Sequence, residues 1–222
     1  MISNDEYKRA WDQRVGETTA HLKFDDTYLP KDSLYEAYQM ALWGMDLTGK
    51  TIIDYGCGGG LFAEWLFLYH NVAEYHGIDI SMRSITSAVQ RLGNYQTPKD
   101  VYSFQLIDPD EIDFNTPPHE VFFCLSVIQH MPDKEYLDKF LDFVNQGKFR
   151  TLSLQIRHSD KTEFRAEPYK TTHDIALACR TNAEYLQEKL TGYTLKEKSM
   201  IAKNGYQYLL FTRKGRGRRR KA

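Results

Sequence analysis

Residues 51–62 read TIIDYGCGGGLF. A β-branched run, Thr51-Ile52-Ile53, passes an aspartate, Asp54, and then meets four glycines in the five positions 56–60. Glycine gives up more backbone entropy on folding than any other residue, so a cluster this dense marks a chain that must turn sharply or lie against something. The residues that follow, 61–69, have the composition of a helix. A strand, a glycine turn and a helix open a nucleotide-binding βαβ unit.

Outward from that unit the pattern alternates. Strands are expected over 74–80, 101–107, 120–127 and 151–156, with helices over 81–92, capped by Ser81, and 134–145. Residues 120–127, EVFFCLSV, form a continuous apolar run, the mark of a strand buried on both faces. Thr181-Asn182-Ala183-Glu184 fits a capping box ahead of a helix over 185–190. Strands over 193–201 and 206–213 close the domain as a hairpin through Lys203-Asn204-Gly205. The expected fold is α/β, a doubly wound and mostly parallel sheet with one antiparallel strand near the C-terminus. Such sheets take ligands beyond the carboxyl ends of their strands, at the topological switch point.

Three segments follow: an aromatic-rich helical stretch over 1–48 (Tyr7, Trp11, Tyr28, Tyr35, Tyr38, Trp43), the α/β domain over 49–213, and a tail over 214–222 expected to be disordered. A polar and aromatic insertion, 158–172, breaks the alternation. With 222 residues, 41% of them hydrophobic, the chain can bury a core without disulfides or structural metal. Cys57, Cys124 and Cys179 stand far apart, which suggests neither zinc nor a disulfide framework and agrees with a cytoplasmic setting. No apolar run approaches a membrane span, and the polar N-terminus, MISNDEYKRAWD, is unlike a signal peptide. Of 29 basic residues, seven lie in the last ten positions, leaving 22 against 30 acidic residues elsewhere.

Two ligands compete for the glycine turn. Gly58-Gly59-Gly60-Leu61-Phe62-Ala63 fits G-x-G-x-x-A, the turn of nicotinamide and flavin dinucleotide folds. Asp54 opposes that assignment, because a carboxylate at the strand tip would face the helix end where a pyrophosphate must sit. S-adenosylmethionine carries a sulfonium, an ammonium and one carboxylate, and an acid beside exposed backbone amides suits that zwitterion. The segment Asp54-Tyr55-Gly56-Cys57-Gly58-Gly59-Gly60 resembles the first motif, D-x-G-C-G-x-G, of the class I S-adenosylmethionine-dependent methyltransferases, whose fold is a seven-stranded Rossmann-like sheet. The resemblance implies that Asp54, Gly56, Cys57, Gly58 and Gly60 wrap the methionine end of the cofactor. It also implies that Asp79, followed by Ile80, holds the two ribose hydroxyls, as one carboxylate can accept two hydroxyl protons. Residues 126–132, SVIQHMP, are similar to the family segment after the fourth strand, which brings Ser126 to the site. Asp108 matches the acid that meets adenine, but Pro109 after it has no N–H to offer a ring nitrogen.

For the reaction, the resemblance implies methyl transfer to oxygen or nitrogen, with S-adenosylhomocysteine as product. His130 lies just past a buried strand, and imidazole changes charge near neutral pH; a general base and a structural histidine at a helix start both fit. Arg157 and His158 end the fifth strand at the same sheet edge. Thr116-Pro117-Pro118-His119 lacks the acid and aromatic of base-methylating enzymes, and Gln129, His130, Arg157 and His158 stand where catechol-type enzymes carry metal-binding acids, so no metal is expected. A small-molecule acceptor is the first expectation, with the N-terminal segment and the insertion as walls. The alternatives are an RNA or protein acceptor attracted by the basic tail, and a catalytically silent cofactor-binding module.

Overall fold

The computed structural model describes residues 7–13, 31–94, 100–107, 119–164, 179–203 and 205–215. Helical residues 7–13 (α1) and Lys31–Leu42 (α2) precede the repeating part of the chain. That part begins with β1 (Thr51–Tyr55), α3 (Leu61–Tyr69), β2 (Glu74–Asp79), α4 (Met82–Gly93) and β3 (Tyr102–Leu106). It continues with β4 (Val121–Cys124), a 3-10 turn at Ile128–His130, α5 (Lys134–Gln146) and β5 (Thr151–Arg157). A two-stranded pair, β6 (Glu163–Phe164) and β7 (Cys179–Arg180), then leads to α6 (Ala183–Lys189), β8 (Tyr193–Lys198) and β9 (Tyr206–Arg213).

Seven strands form one sheet in the order β3-β2-β1-β4-β5-β9-β8. Neighbours from β3 to β5 run parallel, and β9 is antiparallel to both β5 and β8. This is the doubly wound sheet with one reversed strand that the alternation predicts. Its order turns between β1 and β4, so the carboxyl ends of β1, β2 and β4 border the switch point.

Strand alternation divides the core in two. Ile53, Tyr55, Ile78, Phe122 and Cys124 pack with α5 and α6, whereas Ile52, Tyr75, Val121 and Phe123 pack with α3 and the end of α2. Ser153 faces the second layer, and its hydroxyl donates to the Ala41 carbonyl at 2.7 Å, which ties α2 to the sheet.

The structure departs from expectation at four places. β4 ends at Cys124 rather than 127, because Ser126 takes a left-handed backbone (φ 59°) that no strand can continue. β8 ends at Lys198 rather than 201. The cap of α6 is Asn182, whose side chain accepts from the Tyr185 N–H at 2.8 Å; Thr181 pairs its hydroxyl with Thr162 instead. Part of the 158–172 insertion is ordered as β6 against β7, while residues 165–178 and Asn204 lie outside the described residues.

His119, just before β4, is 2% exposed, and among the described residues neither ring nitrogen has a hydrogen-bond partner. Its ring lies 4.5 Å from that of His76. Burial, with His76 adding to it, lowers its pKa to about 4. The folded pKa is below the unfolded one, so this group favours the fold above about pH 6.5 and opposes it increasingly as pH falls towards 4. At pH 4.5 the loss amounts to about 2–3 kcal/mol. In urea unfolding, His119→Leu should be less acid-sensitive than the parent between pH 6.5 and 4.5; equal slopes would contradict this.

Candidate functional site

The turn after β1 is built on β2. The Gly56 and Cys57 N–H groups both donate to the Ile78 carbonyl, at 2.7 and 3.0 Å, which folds the chain back over the β2 end. Gly56 (φ 76°) and Gly60 (φ 77°) are left-handed, and side chains would also collide there. A Cβ on Gly56 would stand 2.2 Å from Val127 Cγ2, and one on Gly60 would stand 2.9 Å from Ala88 Cβ. Glycine therefore lets the turn touch the segment after β4 and lets α3 start against α4. A Cβ on Gly58 would meet nothing within 4 Å, so this part of the turn presents bare backbone to open space. Behind the turn, Arg91 of α4 donates to the Gly59 carbonyl at 2.9 Å and pairs with the buried Glu64 of α3.

Asp79 ends β2 at the centre of this arrangement. One carboxylate oxygen accepts from the Gly58 N–H at 2.9 Å and the other from the Ser81 N–H at 2.8 Å. Burial pushes its pKa up to about 6, against the pull of these bonds. Ile80 after it is half-buried against the α5 side of the core. Ser81 caps α4 and accepts from the Ser84 N–H. Its hydroxyl also donates to Asp12 of α1 at 2.6 Å, so the N-terminal helix docks beside Asp79.

Asp54 lies on the opposite face of β1 from Tyr55 and is 3% exposed. Its partner is the Tyr75 hydroxyl, which donates to the carboxylate at 2.6 Å. Burial raises its pKa to about 7, the Tyr75 bond opposes the rise, and the charge of Asp79 adds to it. Cys57 is buried beside both acids, and burial pushes its thiol well up.

After β4, the Ser126 hydroxyl donates to Gln155 at 2.7 Å, and Gln155 donates to the Tyr208 hydroxyl at 2.8 Å. The left-handed backbone at Ser126 is a strained conformation of the kind that collects at functional sites. His130 follows, half-buried under α1: its carbonyl accepts from the Tyr7 hydroxyl at 3.0 Å, and its ring meets Trp11 edge-on at 4.9 Å. His158 bridges to Thr181, and its ring lies 3.9 Å from the Asp160 carboxylate.

The structure thus gathers Asp54, Gly56, Cys57, Gly58, Gly60, Asp79, Ile80, Ser126 and His130 around three strand ends. Asp108, Pro109 and 116–118 lie outside the described residues. Sequence reasoning missed Asp12, Tyr75, Arg91 and Gln155. Among the described residues no three His, Cys, Asp or Glu side chains converge as metal ligands, and no helix is long and apolar enough to cross a membrane.

Residues 53–147 match a family described as a methyltransferase domain. The ubiquinone biosynthesis O-methyltransferase of Alkalilimnicola ehrlichii is 34% identical over 87 residues, which cover 39% of this chain and only 34% of that relative. The magnesium protoporphyrin IX methyltransferase of Synechocystis PCC 6803, solved with bound S-adenosylmethionine, superposes with a TM-score of 0.71 at 14% identity, over 96% of this chain and 99% of that one. A Haemonchus contortus phosphoethanolamine N-methyltransferase, in complex with phosphomonomethylethanolamine and S-adenosylhomocysteine, gives 0.72 at 13% identity, over 97% and 61%. At such identities the likeness is one of fold.

Proposed function

We propose that this chain is a class I S-adenosylmethionine-dependent methyltransferase, as its methyltransferase-domain match and fold support, and that it moves a methyl group to an oxygen or nitrogen atom of a small molecule. The observation that carries the reading is the join of Asp79 to the glycine turn. A carboxylate bound to the Gly58 N–H stands beside backbone that faces open space. The residues fit the cofactor. Two acids, the buried Asp54 and the half-buried Asp79, make the site hospitable to cationic groups and hostile to a pyrophosphate. Asp79 would take the ribose hydroxyls through its remaining lone pairs, the turn would lie along the methionine end, and Ser126 would border the cofactor from the β4 side.

When bound, S-adenosylmethionine supplies a methyl group on a sulfonium, already activated for transfer. The chain must then align the acceptor, exclude water and take up a proton. In our reading α1 lies over the acceptor side as a lid, with Tyr7 and Trp11 on His130, and His130 accepts the acceptor's proton. A site roofed by a helix favours a small acceptor, and the relatives named above carry small-molecule acceptors in their names. The RNA alternative rests on the basic tail, of which 216–222 lie outside the described residues.

Calorimetry should detect S-adenosylhomocysteine and find no binding of NAD. Asp79→Ala should weaken that binding by about 1–3 kcal/mol, the worth of hydrogen bonds to a charged group, without unfolding the protein. Tight NAD binding that Asp54→Ala leaves unchanged would overturn the reading. Transfer of labelled methyl to a panel of small molecules separates an enzyme from a silent binding module.

A further inference from the structure

We propose that Tyr75 is a positioning residue for the cofactor: its phenol holds the Asp54 carboxylate in its ionised form and thereby sets the pH above which the cationic end of S-adenosylmethionine is captured. This deepens the functional reading above and rests on it. The geometry comes from sheet register. Asp54 pairs with Gly77 across β1 and β2, and Tyr75, two residues earlier, projects from the same face. Its hydroxyl reaches the carboxylate at 2.6 Å, and both side chains are sealed, Tyr75 completely. A carboxylate removed from water tends to take up a proton, and a donor that bonds only the ionised form opposes this.

Among the described residues, Tyr75 is the group shown to stabilise the Asp54 charge through a hydrogen bond. Tyr38 from α2, Cys57 in the turn and Cys124 on β4 are all held neutral, their pKa values raised by burial, with Asp54 contributing. Asp79 on β2 carries the same sign as Asp54 and disfavours its ionisation. The Arg91 cation is already paired with Glu64 and bound to Gly59. With burial pushing the Asp54 pKa up to about 7, its charge is poised near neutral pH, and a cationic group arriving at the adjoining turn favours the deprotonated carboxylate through its charge.

The sign follows from linkage. Below its pKa in the empty protein, Asp54 must lose a proton for the cofactor to bind, so affinity rises with pH up to that pKa and levels off above it. Tyr75→Phe raises that pKa. A shift of about one unit costs about tenfold in affinity at any fixed pH on the rising limb and nothing on the plateau.

The test is calorimetry with S-adenosylhomocysteine from pH 5.5 to 8.5 on the full chain, in pairs of buffers with different ionisation enthalpies to count protons released. The parent should gain affinity up to about pH 7. Tyr75→Phe should show the same curve displaced upwards by about one unit, with more protons released near pH 7. Asp54→Asn should lose this limb and keep only the lower one that belongs to Asp79, near pH 6. Using one ligand throughout cancels its own titration from the comparison. A Tyr75→Phe protein that binds less tightly by the same factor at every pH, with unchanged proton release, would assign Tyr75 to packing alone and overturn the inference. A parent that binds no S-adenosylhomocysteine at any pH overturns the functional reading and this inference together. If Tyr75→Phe fails to fold, Tyr75→Met keeps apolar bulk without a donor, and an unmoved limb there overturns the inference as well.

Discussion

Replacing His130 with alanine is expected to lower turnover by about 10²–10⁴-fold, the usual worth of a general base, while affinity for S-adenosylhomocysteine scarcely changes. The side chain stands in the 3-10 turn directly after β4, next to the switch point, and is half-buried rather than sealed. Trp11 against one edge of the ring and Tyr7 on its backbone carbonyl fix it from the α1 side. A ring held this way and still partly open suits proton transfer, because little reorganisation is required. His130→Gln separates the roles, since glutamine fills similar space and hydrogen-bonds but cannot carry the proton away. If both variants lose turnover, His130 is the base. If turnover holds and KM rises, the acceptor arrives ionised and His130 only orients it. Normal values of both would leave His130 as a support for α1.

The fold was legible where local pattern and burial agree. The bounds of α3 and β9 follow from sequence because each is a compact run bounded by glycine, a polar residue or a turn. β4 was overextended because Leu125, Ser126 and Val127 continue its apolar content, and hydropathy carries no sign of the positive φ at Ser126. The pairing of β6 with β7 left no trace, since strands of two residues are held by their partner and not by a pattern. At α6, Thr181 and Asn182 are both good caps, and only the hydroxyl contact with Thr162 decides between them.

At the site, Asp79 stood out through the family resemblance and its spacing from the glycine turn, since an acid closing a strand can otherwise be just an exposed strand end. Its actual partners, the Gly58 and Ser81 N–H groups, are local to that geometry. Tyr75 was hidden because its contact with Asp54 depends on the register of β1 against β2, which alternation cannot supply. The docking of α1 was hidden for a different reason. Asp12 meets Ser81 across 69 residues and Tyr7 meets His130 across 123, and such contacts are decided by the finished fold. The aromatic richness of the N-terminal segment was the available signal, and it pointed to a wall over the acceptor without giving the contacts.

Asparagine in place of Asp54 is expected to stabilise the empty protein at pH 8 by about 2–4 kcal/mol and to weaken S-adenosylhomocysteine binding tenfold or more. Asp54 ionises at about 7 in the fold, against an ordinary value of 3.8, because it is buried and has the Asp79 charge nearby. A raised pKa favours the fold most when the group is protonated. The strain it imposes is therefore absent below about pH 4, grows as pH rises to 7, and is full above that. Asparagine keeps the shape and the acceptor for the Tyr75 hydroxyl but never takes a charge, so its advantage should appear over the same window and vanish at pH 4. The cofactor's cationic end offsets that buried charge in the parent and has nothing to offset in the variant, which is why stability and affinity should move in opposite directions. Urea unfolding at pH 4, 6 and 8, with calorimetry at pH 8, reads both. A variant less stable than the parent at pH 8 would mean that the ionised carboxylate supports the fold, and the assignment of its charge to the cofactor would have to be abandoned.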